Sequence, residues 1–259
     1  NMSSAVVLVT GGYDHSLRFW EASSGICYRT ITFGGSQINR IEITSDKRLV
    51  AAAGNPLVRV YEVESTSPNA LLTFEEHKSN ITGVGFQRDR KWMYTGSDDG
   101  TLRIWDMRAP KSQLSLEAKA PVTSAVLHPN QGEIIFGDRS GRLNMWDLIA
   151  NKRSASVDVG TAEFPVQSLC VAYDASRIGV ATTDGRMTLW EAGGGAHLNK
   201  LADFQAHDSY ILKCCMSPDV KTLATASSDT TVKLWNLETL EHMNTLKGHQ
   251  RWVWDCVFS

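Results

Sequence analysis

Along most of this 259-residue chain an aromatic residue closes a strand-like segment every 41 to 45 residues. Few architectures tolerate a period of that length. The segments GYDHSLRFW, GSDDGTLRIW, GDRSGRLNMW, TTDGRMTLW and SSDTTVKLW end at Trp20, Trp105, Trp146, Trp190 and Trp235, and GNPLVRVY ends at Tyr61 in the one gap. Successive aromatics are 41, 44, 41, 44 and 45 residues apart. Within each segment apolar residues alternate toward the aromatic, and a polar Asp/Gly turn precedes it, which predicts a hairpin. A strand, a tight turn and a second strand therefore recur six times.

Between the hairpins lie SNITGVGFQRD, APVTSAVLHPN, FPVQSLCVAYD and SYILKCCMSPD, each rich in β-formers and closed by turn residues. They read as the innermost strand of each repeat. A unit of four short antiparallel strands cannot bury both faces alone, so such units stack around an axis as the blades of a β-propeller. No Pro- or Gly-rich linker interrupts the pattern, so residues 1–259 are expected to form a single all-β domain. GHQRWVWDCVFS begins a further inner strand at the C-terminus, and AVVLVTGG runs straight into the turn before Trp20. Six repeats plus the first strand of another, with a first blade lacking its own inner strand, predict a seven-bladed propeller whose last blade is truncated.

Hydrophobic residues make up 42% of the chain and charged residues 21%, ordinary globular usage that supports a sizeable core. A net charge of −2 supplies neither a basic footprint for nucleic acid nor a polybasic membrane signal. The apolar run Ala5 to Val9 is too short to cross a bilayer, so no direct membrane insertion is expected. Cys27, Cys170, Cys214, Cys215 and Cys256 contain no C-x-x-C spacing, which fits reduced thiols in the cytoplasm better than a disulfide framework. Cys214 and Cys215 are neighbours on a strand and point to opposite faces, which argues against paired metal ligation. The Gly193 to Gly195 run reads as a loop, and His197 and His242 read as solvated. No phosphate-binding or metal-hydrolase motif is present, so neither a metal, a cofactor nor a small-molecule substrate is expected.

His77, Ser97, Asp99 and Trp105 share their spacing with His207, Ser227, Asp229 and Trp235, at 20, 22 and 28 residues after the histidine. Serine, histidine and aspartate suggest nucleophilic catalysis. Two copies on separate repeats, with no G-x-S-x-G elbow, argue against one active site. The arrangement resembles the structural tetrad of WD repeats, in which an imidazole links the turn Asp, the strand Ser and the indole N–H. His249 starts a third copy, whereas the repeats ending at Tyr61, Trp146 and Trp190 lack the histidine. Asn55 and Ser140 stand at the turn position held elsewhere by Asp14, Asp99, Asp184 and Asp229.

Partner contacts are expected at the first residues of each inner strand, which line the rim of a propeller channel. These are Gln37 and Asn39, Asn80 and Thr82, Pro121 and Thr123, Pro165 and Gln167, Tyr210 and Leu212, and Trp252 and Trp254. Large aromatics carry much of the energy of a buried interface, so the two tryptophans read as a hot spot, with packing on the adjacent blade as the alternative. For Gln37 and Asn39 a solvated rim and a partner contact are equally open. In a closed ring Trp252 and Trp254 would share a face with Tyr13, His15, Gln37 and Asn39.

GYDHSLRFWEASSGICYRT, KWMYTGSDDGTLRIWD, HPNQ, LATASSDTTVKLW and GHQRWVWDCVF closely resemble the Gβ-like WD-repeat propeller subunit of TOR kinase complexes. The resemblance implies a seven-bladed, non-enzymatic scaffold that docks on the TOR kinase domain and stabilises its active site within complexes controlling growth. It also implies further TOR-complex subunits as partners, recruitment to endomembranes through the complex, and kinase contacts at Gln37, Asn39, Trp252 and Trp254. A second class remains open. Ile104-Trp105-Asp106-Met107-Arg108 looks like the W-D-x-R box by which some propellers act as substrate receptors for cullin-type ubiquitin ligases, with Arg108 its one distinguishing residue.

Overall fold

The computed structural model describes residues 6–191 and 198–258, which form twenty-three β-strands and, among the described residues, no helix. The Gly193 to Gly195 run and His197 lie outside the described residues. The chain falls into two compact units, Asn1–Lys119 and Ala120–Ser259, each holding three sheets. No helix of the described residues is long and apolar enough to cross a membrane.

In the first unit β1 (Val7–Gly11), β2 (Ser16–Glu21) and β3 (Ile26–Thr32) form a three-stranded antiparallel sheet. The second sheet has β4 (Arg40–Ile43), β5 (Leu49–Ala53), β6 (Val58–Glu62) and β7 (Leu72–Phe74), and the third β8 (Ile81–Phe86), β9 (Trp92–Ser97), β10 (Thr101–Asp106) and β11 (Ser112–Glu117). In the second unit the sheets are β12 (Val122–Leu127), β13 (Glu133–Asp138), β14 (Arg142–Asp147) and β15 (Lys152–Asp158); β16 (Val166–Val171), β17 (Arg177–Thr182), β18 (Arg186–Glu191) and β19 (Asn199–Gln205); and β20 (Ile211–Met216), β21 (Thr222–Ser227), β22 (Val232–Asn236) and β23 (His242–Leu246). All pair in simple up-and-down order. These are the six blades of a WD-repeat β-propeller, and the first lacks the inner strand that the others carry, as the sequence predicts.

Within each unit consecutive sheets bury apolar faces against each other, because side chains alternate across each strand and both faces are apolar. Leu17, Phe19, Ile31 and Phe33 meet Ile38, Val50, Ala52 and Tyr61. The opposite face of β5, with Ala51 and Ala53, meets Ile81, Val84, Met93 and Trp105. In the second unit Ile135, Leu143 and Met145 pack on Val166, Leu169, Ile178 and Val180, and Cys170, Met187 and Leu189 pack on Ile211, Cys214 and Leu223. Each fully buried aliphatic side chain contributes about 1.5 to 3 kcal/mol of transfer free energy.

Two local devices position the residues singled out by sequence. The pairing of β8, β12, β16 and β20 with its neighbour skips one residue, between Ile81 and Gly83, Val122 and Ser124, Val166 and Ser168, and Ile211 and Lys213. The skipped residues Thr82, Thr123, Gln167 and Leu212 are four of the expected rim positions, and a bulge re-aims the side chain it carries. The second device is the hairpin turn before each aromatic strand. Gly100, Gly141 and Gly185 take positive φ there, and His15 and Thr230 hold the same place. At Gly185 a Cβ would come within 2.0 Å of the His207 carbonyl oxygen, while the Gly185 carbonyl accepts from the His207 amide. Only glycine lets this turn clamp the backbone of His207.

The C-terminal segment departs from expectation. Residues 251–258 form no strand, although Val253 is seated like the first residue of an inner strand. Its amide donates to the Ser227 carbonyl, as that of Ile38 donates to Gly12 and that of Ile81 to Gly54. Val253 is buried against Ala224, Ala226 and Val232. Strand status needs a ladder of such bonds, and no neighbouring strand supplies one here among the described residues.

Candidate partner-binding face and the buried histidine networks

Each complete histidine network is anchored on four segments. His77 Nδ1 lies 2.8 Å from Asp99 Oδ2 and its Nε2 2.6 Å from Thr95 Oγ1, while Trp105 Nε1 donates to the same hydroxyl at 2.9 Å. The second copy repeats it: His207 Nδ1 to Asp229 Oδ2 at 2.6 Å, Nε2 to Thr225 Oγ1 at 2.8 Å, and Trp235 Nε1 to Thr225 Oγ1 at 3.1 Å. The strand hydroxyl is therefore a threonine, and the expected Ser97 and Ser227 do not fill that role. Trp105 pairs with Met93, so Thr95 sits diagonally across on the same face, within reach of the indole. Ser97 lies one pleat further on. Its hydroxyl donates to the Asn80 carbonyl at 2.8 Å and accepts from the Asp99 amide at 3.1 Å, and Ser227 likewise accepts from the Asp229 amide.

Because the carboxylate can only accept, His77 Nδ1 carries the proton and the threonine hydroxyl donates to Nε2 while accepting from the indole. His77, Thr95 and Trp105 are buried, as are His207, Thr225 and Trp235. Every polar atom in each network has a partner, and no face of the hydroxyl is open to a substrate.

Burial pulls the His77 and His207 imidazoles below their ordinary value and outweighs the hydrogen bonds to Asp99 and Asp229, which act upward. Burial pushes the Asp99 carboxyl up, but donation from Thr101, the Lys78 amide and His77 outweighs it and holds the group at about 2, against an ordinary 3.8. The unfolded chain binds protons on these histidines near pH 6.5 and the native chain only at lower pH, so their contribution is complete above about pH 6.5 and is lost as pH falls below it. The Asp99 contribution persists lower and disappears between 3.8 and about 2. Melting temperatures measured from pH 8 to pH 3 are expected to decline in two stages, one starting near pH 6.5 and one below pH 4. A flat profile between pH 7 and pH 5 contradicts the neutral buried histidines.

The repeats without the histidine keep the indole–hydroxyl bond only in part. Trp20 donates to Thr10 at 2.8 Å and Trp190 to Thr188 at 2.9 Å. Phe136 occupies the place of Thr95 in the Trp146 repeat, and the Trp146 indole N–H has no acceptor among the described residues. Asp138 there gathers the Ser140 hydroxyl at 2.5 Å and Asn144 Nδ2 at 2.9 Å, so the turn carboxylate has moved two residues upstream of Ser140. His249 is exposed. His242 is exposed too and packs edge-on against Trp235 at 5.3 Å.

On the second unit three aromatic side chains gather at the surface. Trp252 and Trp254 flank the buried Val253 and are 49% and 51% exposed, with ring centroids 5.5 Å apart. Tyr210, 52% exposed, meets Trp252 edge-on at 6.5 Å. Lys213 Nζ and Asp255 lie 3.6 Å apart on the same two segments. Tyr210 holds the rim position of the preceding repeat, and that shared position is the signal from which the triad could have been assembled. On the first unit Tyr13 and His15 are exposed on the turn before β2, while Gln37 and Asn39 flank the buried Ile38 and are themselves half-buried. Arg108 lies on the β10–β11 turn, largely exposed, with its guanidinium folded onto its own Asp106 at 2.6 Å.

Residues 68–106 and 198–236 match the family described as WD domain, G-beta repeat. Three relatives are similar over most of their length. The target of rapamycin complex subunit wat1 of Schizosaccharomyces pombe is 46% identical across 83% of this chain and 69% of its own. The target of rapamycin complex subunit LST8-1 of Arabidopsis thaliana is 48% identical across 96% of this chain and 82% of its own. This chain belongs to the LST8 family. The Saccharomyces cerevisiae target of rapamycin complex subunit LST8, 45% identical across 82% of this chain and 71% of its own, is a further member. LST8 proteins are thus TOR complex subunits by name, and both complete histidine networks fall within or overlap the matched WD repeats.

Proposed function

We propose that this chain is a non-catalytic subunit that binds the kinase domain of TOR and stabilises it, acting as one propeller domain in the cytoplasm. The observation that carries this reading is the Tyr210, Trp252 and Trp254 cluster, three half-exposed aromatics on segments that also carry the Lys213–Asp255 ion pair. Exposed aromatic clusters with polar neighbours mark protein interfaces, and tryptophan and tyrosine lead the residues that dominate them. The names of the relatives supply the complex. Gln37 and Asn39 add hydrogen bonds to the kinase in this reading, with Tyr13 and His15 as further contacts. The histidine networks hold the blades and take no part in chemistry, since each is buried and fully paired.

A ubiquitin-ligase role through Arg108 receives less support, because the guanidinium is folded onto its own Asp106 through Nε and Nη2. The decisive experiment is affinity purification of the chain with its TOR kinase. Changing Gln37 and Asn39 together to Ala is expected to weaken capture by about 1 to 2 kcal/mol, and Arg108→Ala to leave it unchanged. Purification of a ligase adaptor in place of the kinase, abolished by Arg108→Ala, would reverse the choice.

A further inference from the structure

Two thiol pairs sit on opposite faces of β20. Cys214 is fully buried and shares the core with Cys170. Cys215 points the other way, and its Sγ lies 3.5 Å from Cys256 Sγ, 41 residues on. Both members of this outer pair are only partly buried. Cys256 belongs to the segment 251–258, which has no ladder of its own and is held by the Val253 amide and the packing of Val253, Cys256 and Phe258. A disulfide needs about 2.05 Å between sulfurs, so the pair must close by about 1.5 Å. β20 is fixed by its pairing with β21, and the adjustment falls on Cys256.

We propose that Cys215 and Cys256 form a redox latch, in which oxidation by a hydroperoxide joins them and pins the segment bearing Trp252 and Trp254 to β20. The Cys215 sulfur attacks the O–O bond and becomes a sulfenic acid, releasing water when hydrogen peroxide is the oxidant. The Cys256 sulfur then displaces the sulfenic oxygen as a second water. Two thiols are oxidised to one disulfide and one peroxide is reduced. The hydrogen bond to Cys215 and partial burial push the Cys256 thiol upward, which disfavours Cys256 as the thiolate that attacks the peroxide. In a reducing compartment such a bond is transient, as sensing disulfides are. The latch is independent of which partner the aromatic face takes.

The test is a hydrogen peroxide titration of the reduced 259-residue chain, followed by intact mass, disulfide mapping and amide hydrogen exchange. The expected result is loss of two hydrogens, one linked peptide pair joining Cys215 to Cys256, and exchange of the 252–258 amides slowed about tenfold. Melting rises by about 5 °C, and dithiothreitol reverses every change. Cys256→Ser, and independently Cys256→Ala, abolish the link while melting like the reduced parent. Sulfinic acid at Cys215 without a link, a Cys170–Cys214 link in its place, or a Cys215–Cys256 link that leaves exchange unchanged overturns the proposal.

Discussion

Replacing Trp252 and Trp254 together by Ala is expected to release the TOR kinase from the folded chain. Both rings are half-exposed and lie against each other, and Trp252 meets Tyr210 edge-on, so removing them erases most of the aromatic area of this face. Truncating one buried aromatic anchor typically costs about 2 kcal/mol or more, some thirtyfold in affinity, and losing two adjacent anchors removes detectable capture at micromolar concentrations. Folding is expected to survive, because the residue that seats this segment is Val253, buried against Ala224, Ala226 and Val232. Calorimetric titration of the kinase with the double variant, after a melting curve, reads the result. Full-strength binding by the folded variant removes the face from consideration.

His207→Ala is expected to lower stability by about 1 to 3 kcal/mol, a fall in melting temperature of about 3 to 10 °C, while the aromatic face keeps its affinity once the protein is folded. The substitution leaves the Asp229 carboxylate and Thr225 hydroxyl without the imidazole they bracket, in a site where Thr225 and His207 are buried. Unpartnered buried polar groups carry a desolvation cost that a surface deletion does not. Ser227→Ala distinguishes a threonine relay from a serine relay. Its hydroxyl accepts from the Asp229 amide and lies outside the His–Thr–Trp relay, so its loss is expected to cost less than that of Thr225. Differential scanning calorimetry of the three variants ranks them, and a Ser227→Ala defect larger than that of Thr225→Ala would reinstate serine as the network hydroxyl.

The repeat, its strand and hairpin content, the propeller class and the paired spacing of His77 with Asp99 and His207 with Asp229 were all legible in the linear chain. Each depends on alternation or turn chemistry over a few residues, repeated often enough that chance fails. Which hydroxyl meets the imidazole was not legible. Thr95 and Ser97 share a face, and only the register of β9 against β10 places the first beside Trp105 and the second on the turn. The unpaired Trp146 indole follows from Phe136, whose significance depends on knowing that this position faces the ring. The rim positions could be counted from the repeat, but the bulges that re-aim Thr82, Thr123, Gln167 and Leu212 appear only as skipped residues in a ladder. The expected C-terminal strand failed because a strand is a property of two segments in register, whereas its apolar alternation survives as a buried Val253 between two half-exposed tryptophans. The edge-on Tyr210–Trp252 contact and the Cys215–Cys256 approach join residues some forty positions apart, and contacts of that separation are decided by the packing of one blade on the next.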